Sequence, residues 1–159
     1  MNNRFVRTFA FGASFLALTL TTGAARPRAV HAHEEKPTII VYKDPNCGCC
    51  TAWVDHLKAN GFSVTVHDVR DRAPHKKKLG VPERLASCHT AVVDGYTIEG
   101  HVPASEIKRL LAERPRATGL AVPGMPEGSP GMETGKRDPY DVLLFDKDGK
   151  ASVYKSYGK

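Results

Sequence analysis

The chain's 159 residues carry 23 Lys and Arg against 17 Asp and Glu, and a formal charge of +6 would suit a nucleic-acid partner. Residues 1–32, however, hold Arg4, Arg7, Arg26 and Arg28 and no acid, so without them 19 basic residues face 17 acidic ones and the charge is +2, which removes that reading. Four cysteines, three of them crowded into four positions, are too few and too clustered for a disulfide framework, so the core has to come from apolar packing.

Arg4 and Arg7 lead into an uncharged apolar stretch over residues 9–20, followed by the small-residue patch Gly23-Ala24-Ala25 and a second small-x-Ala site, Val30-His31-Ala32. This is the layout of a secretory signal peptide over residues 1–32, cleaved after residue 25 or 32. The uncharged run, residues 8–25, includes Gly12, Ser14 and four threonines. It is marginal against the ~20 apolar residues of a membrane span. Cleavage and export, without stable membrane insertion, are therefore expected. About 127 residues then remain, one domain of ordinary size with a real core.

Thr38–Lys43 (TIIVYK) is a β-branched run and predicts a buried strand, with Asp44-Pro45-Asn46 turning the chain. Residues 49–60 place Ala52, Trp53, Leu57 and Ala59 at helical positions, and Gly61 sits where a C-cap belongs. Residues 62–69 alternate at period two and predict a second strand. The polar segment 71–78 is compatible with a helix despite Pro74, and residues 81–85 with a helical turn. Residues 89–93 and Tyr96–Glu99 flank Asp94-Gly95 and predict a hairpin. A helix over residues 103–113 aligns Ile107, Leu110 and Leu111 and stops at Pro115. Residues 119–139 then hold five glycines and four prolines in 21 positions without apolar periodicity, which predicts a long functional or disordered loop. Residues 141–145 and Ala151–Tyr157 predict a terminal hairpin that extends the sheet. Strand, helix, strand, helical link, hairpin and helix is the order of an α/β, thioredoxin-like domain. The expected organisation is a core over residues 38–115 and a Gly/Pro/Met-rich extension with its hairpin over residues 116–159.

The chemistry concentrates at Cys47-Gly48-Cys49-Cys50, at the first strand-to-helix junction. A helix N-terminus favours thiolate, which is both nucleophile and metal ligand. The adjacent Cys49 and Cys50 cannot readily bridge each other. A soft ion suits such thiolates, and copper(I) is the soft ion expected of an exported protein. The expected fold brings Cys88 to face the other three. Four thiols also suit structural zinc. Zinc sites of that kind commonly use two separated pairs, and a three-plus-one crowd suits thiolates bridging more than one copper(I) ion better. The repeated motifs Pro123-Gly124-Met125 and Pro130-Gly131-Met132 offer two thioethers, which also suit copper(I), or else gap-filling side chains.

The histidines divide. His101, between the hairpin and the last helix, either approaches the site or lies on the surface. His89 is expected to point away from a site-facing Cys88, unless the strand has yet to begin there. His56, about 10 Å along the helix from Cys49, is too far for a shared ion. His67 and His75 have no evident partner and are expected exposed. A chain cut after Ala32 would begin at His33, whose amine and imidazole could chelate copper(II).

The segments KDPNCGCCTAWVDHL, SCHTAVVDGYTIEGHVP and GLAVPGMPEGSPGME resemble, in kind and order, the CopG-like family of bacterial periplasmic copper-resistance proteins. The likeness runs from about Thr38 to the C-terminus. It implies a thioredoxin-like domain whose extension helps bind metal, a cysteine-bridged copper site, and interconversion of copper(I) and copper(II) in detoxification. Carried over by position, the Cys-x-Cys-Cys motif is Cys47, Cys49 and Cys50, and the Cys-His pair is Cys88 and His89. His101, Met125 and Met132 match further family motifs and complete or cover the site. The expected partners are copper ions and a periplasmic copper efflux or carrier protein. Two rivals stand beside this reading: a thiol-disulfide oxidoreductase using Cys47 and Cys50, and a copper chaperone without redox chemistry.

Overall fold

The computed structural model describes residues 36–158; the expected signal peptide and His33 lie outside them. Strands β1 (Thr38–Lys43), β2 (Ser63–Asp68), β3 (Thr90–Val93), β4 (Tyr96–Glu99), β5 (Gly119–Ala121), β6 (Tyr140–Phe145) and β7 (Ala151–Tyr157) form one sheet in the order β2-β1-β3-β4-β5-β6-β7. Helices α1 (Gly48–Ala59), α2 (Ala73–Lys78) and α3 (Ala104–Glu113), with a 3-10 turn at Glu83–Leu85, make the connections. The α/β order through α3 agrees with the expected one element by element. β1 and β2 run parallel across α1, while β1–β3 and β3–β4 are antiparallel.

Alternation along the strands sorts the two faces. Ile39, Val41, Ala91, Val93, Ile98, Leu120 and Val142 form one core cluster with Trp53, Val54 and Leu57 of α1 and Ile107 and Leu110 of α3. Ala121 and Phe145 join Leu85 in a second, smaller cluster. α1 ends as its sequence predicts. Gly61 has φ +89° and donates its N–H to the Lys58 carbonyl, while the Phe62 N–H reaches the Leu57 carbonyl. These two bonds make a glycine-closed helix end that satisfies two otherwise orphan carbonyls.

Two expectations change. The long loop opens with a buried strand, β5, parallel to β4 and antiparallel to β6, so the terminal hairpin joins the sheet through it. A Cβ on Gly119 would lie 1.7 Å from the Thr97 carbonyl oxygen, so the glycine that argues against a strand is what allows this pairing. His67 is exposed as expected and His75 is half-buried, but neither is partnerless, because both stack on Tyr42, with ring centroids 5.4 and 4.2 Å away. The helix at 73–78 tolerates its proline because Pro74 lies in the first turn, where no backbone N–H is needed.

Candidate metal centre

The turn after β1 delivers the first cysteines. Asp44 Oδ1 accepts the Asn46 N–H at 2.9 Å, and the Asp44 carbonyl accepts the Cys47 N–H at 3.1 Å. That Asn46 contact, reinforced by the Arg72 guanidinium, holds the Asp44 carboxyl below its ordinary range. Cys47 then serves as the N-cap of α1, its sulfur accepting the Cys50 N–H at 3.3 Å. A cap position normally taken by an oxygen is here given to sulfur. Cys47 and Cys50 are joined as a disulfide, and Cys49 and Cys88 are free. Cys49 Sγ lies 3.4 Å from Cys47 Sγ, and all four sulfurs fall within 4.8 Å of one another. The expected convergence of Cys88 on the cluster is therefore present, with two of its four sulfurs spent on a bond to each other.

Cys88 precedes β3, which begins only at Thr90, so strand alternation does not separate it from His89. Its sulfur lies 3.2 Å from His89 Nδ1 and 3.0 Å from His101 Nε2. His89 thus enters the site on the exception that a strand not yet begun allows. A buried carboxylate fixes this segment from behind. Glu99 accepts the Ser87 N–H and the Thr90 hydroxyl, each at 2.6 Å, and pairs with Lys76 of α2. Burial, and next the nearby Cys49, push the Cys88 thiol up to about 11. Without an ion it is a protonated, poorly nucleophilic sulfur.

His101 is fully buried, and its Nδ1–H donates to the Pro130 carbonyl at 2.7 Å. A carbonyl can only accept, so the proton is on Nδ1 and a bare Nε2 lone pair faces Cys88. A second-partner bond of this kind is how metal-ligating imidazoles are commonly oriented. Burial lowers the proton affinity of both His89 and His101, which keeps their rings neutral. His89 Nε2 has no hydrogen-bond partner among the described residues; its ring packs 4.3 Å from Trp53 and 5.0 Å from His101. His56, as expected, lies elsewhere, and its Nε2 accepts the Ala104 N–H at the start of α3.

The two Pro-Gly-Met repeats have different surroundings. Gly131 rests on the first turn of α1, where a Cβ would meet the Cys49 carbonyl oxygen at 2.7 Å and the Trp53 nitrogen at 2.8 Å. The Met132 N–H and carbonyl are tied back to Ser129 and Gly128, and its side chain is half-buried. Gly124 makes one bridge with Ser87 and would meet nothing within 4 Å of an added Cβ, while Met125 is 52% exposed. The structure therefore seats the second repeat across the cysteine-bearing turn and leaves the first methionine open to solvent.

Two groupings of donors emerge: Cys47, Cys49, Cys50 and Cys88, and Cys88, His89 and His101. Thiols with one neutral, oriented imidazole fit a soft or borderline ion such as copper. Using all four sulfurs requires the disulfide to be reduced first.

Known proteins point the same way. The family model described as "Protein of unknown function, DUF411" matches residues 85–132, an interval that holds Cys88, His89, His101 and both loop methionines. A solved structure of copper resistance protein copG, form 2, is 52% identical, covers 77% of this chain and 99% of its own, and superposes with a TM-score of 0.74. Form 1 of copper resistance protein copG is 51% identical, covers 79% of this chain and all of its own, and has a TM-score of 0.75. No curated protein matches the chain.

Proposed function

Since the chain belongs to the CopG-like family of copper-resistance proteins, we propose that it binds copper in the periplasm through a thiolate site and limits the free ion by sequestering and interconverting copper(I) and copper(II). The observation that carries this is four sulfurs within 4.8 Å of one another beside the Nε2 lone pair of His101. In the reduced chain Cys47, Cys49, Cys50 and Cys88 supply a three-plus-one set of thiolates, three of them from one turn, and thiolates bridging more than one copper(I) ion suit that set. His101 supplies a nitrogen, His89 a second one, and the loop carrying Met132 covers the site. Met125, exposed at the first repeat, is a thioether available to incoming copper(I). A thioredoxin-like scaffold suits the role because it presents reactive cysteines at a rigid strand-to-helix turn.

The test is metal content and thiol count on reduced chain loaded with copper(I) without oxygen. More than one copper per chain, with all four thiols protected from alkylation, is the expected result. A chain that retains no copper refutes the reading. A second reading, thiol-disulfide exchange with protein substrates, is favoured by one observation, the Cys47–Cys50 disulfide at the helix N-terminus. It predicts catalytic turnover of a model disulfide substrate by the metal-free chain.

A further inference from the structure

Reducing the Cys47–Cys50 disulfide would add two electrons and give the sulfur cluster a second, four-thiol state. In the described state Cys47 and Cys50 are joined while Cys49 and Cys88 remain thiols, although all four sulfurs share a space 4.8 Å across. Joining Cys47 to Cys50 needs no rearrangement of the turn, because both are held by α1: one is its N-cap and the other lies in its first turn. Cys47 Sγ also receives the Cys50 N–H, a contact that stabilises developing negative charge on sulfur.

Removing those two sulfurs does not empty the site. Cys49 and Cys88 are left with His89 Nδ1 at 3.2 Å and His101 Nε2 at 3.0 Å from the Cys88 sulfur. The four-thiol state is a soft donor set suited to copper(I), and the disulfide state is a mixed sulfur and imidazole set that also suits copper(II). The donor set therefore changes character when the Cys47 and Cys50 electrons leave.

Resting on the copper-binding reading above, we propose that the Cys47–Cys50 pair is the electron source for copper(II) reduction at this site. Two copper(II) ions each take one electron. The S–S bond forms between Cys47 and Cys50, their two thiol protons pass to solvent, and two copper(I) ions result. Cys49, Cys88 and His101 keep their donors throughout and hold copper while the pair changes state. Each chain performs this once, until an external dithiol reductant reopens the bond.

The experiment uses fully reduced, metal-free chain under argon, mixed with copper(II) chloride and a chromogenic copper(I) chelator. The expected yield is about two copper(I) per chain, as a two-electron couple requires. Differential alkylation and peptide mapping should place the new disulfide at Cys47–Cys50, with Cys49 and Cys88 still alkylatable once copper is removed. C50S should slow copper(I) formation at least about tenfold, and C47S, at a partly exposed position, repeats the test if the buried C50S chain does not fold. Copper(I) appearing with a Cys49–Cys88 or inter-chain disulfide, or at native rate in C47S, overturns the proposal. Parallel loading with copper(I) separates the two claims. A chain that binds copper(I) yet leaves copper(II) unreduced overturns the electron-source proposal alone. One that binds no copper(I) overturns the binding reading together with it.

Discussion

Gly131→Ala tests whether the second loop repeat is part of the metal centre. The added Cβ would sit 2.7 Å from the Cys49 carbonyl oxygen and 2.8 Å from the Trp53 nitrogen, both backbone atoms of α1. Trp53 is fully buried and its indole N–H is bonded to the Val102 carbonyl, so the helix cannot yield and the loop must. Overpacking of this kind costs about 1–3 kcal/mol. The φ of +85° at Gly131 adds ~1–2 kcal/mol for an L-residue. If the loop lifts instead, the loss is limited to its docking, including the Pro130–His101 hydrogen bond worth about 0.5–1.5 kcal/mol. Global stability of the apo chain should then fall by only about 1–2 kcal/mol, because the sheet is untouched. Copper(I) affinity should fall further, by roughly 10–100-fold, because His101 loses the bond that orients it. Gly124→Ala is the control. It has φ +68° but nothing within 4 Å of the new Cβ, so it carries the backbone strain without the overlap. Competition against a graded set of copper(I) chelators, with thermal unfolding of each apo variant, separates affinity from folding. Equal copper(I) affinity in the two variants would refute the argument that this repeat covers and orients the site.

Three more predictions follow from the same contacts. Glu99→Ala strips the acceptor from Ser87 and Thr90 and leaves Lys76 half of a broken pair; urea unfolding should show a loss of ~3–5 kcal/mol, and Glu99→Gln, which keeps an acceptor, a smaller one. With the Cys88 thiol pushed up to about 11 from 9.0, its thiolate fraction at neutral pH is roughly 100-fold below that of an ordinary cysteine, so iodoacetamide should label it very slowly in apo chain, and fast labelling would contradict its placement. His56 must be neutral to accept the Ala104 N–H, and burial lowers its proton affinity from the ordinary 6.5. A depressed histidine contributes stability that is full above 6.5 and is lost as pH falls below that value toward the folded one. Melting curves of native chain and His56→Ala should therefore differ near pH 8, by about 1 kcal/mol, and converge toward pH 5.

What could be read from the chain depended on how local the cause was. The strands and helices from Thr38 to Glu113 came within a residue or two of their places because periodicity and turn chemistry act over short stretches. Cys88 beside the Cys47–Cys50 turn followed from element order alone. β5 did not, since three residues carry no period and Gly119 is explained only by a carbonyl on a neighbouring strand. His89 turned on one residue of register: with β3 starting at Thr90, the alternation rule has no hold on it. The partners of His67 and His75 were hidden because Tyr42 lies on another element. The Cys47–Cys50 pairing, by contrast, was legible in the Cys-x-x-Cys spacing that carried the oxidoreductase rival.

The two Pro-Gly-Met repeats show why a repeated motif need not repeat a role. Each supplies a glycine with positive φ, at +68° and +85°, so the local backbone is much the same. The difference lies in what faces the missing Cβ: open space at Gly124, and α1 backbone under 3 Å away at Gly131. At Gly131 the glycine is needed for contact as well as for conformation, and that contact carries Pro130 to His101. At Gly124 conformation alone requires it, and Met125 is left 52% exposed. One side of the site is thus built to stay closed, anchored to a helix that also carries three of its sulfurs. The other is held through Ser87 and Ala86 and leaves Met125 exposed, so on the proposed copper-binding reading exchange would use that more open side. Met125→Leu should accordingly slow copper(I) uptake more than it weakens equilibrium binding, and stopped-flow loading beside chelator competition would detect that difference. A proportionate loss in both would instead make Met125 an ordinary ligand.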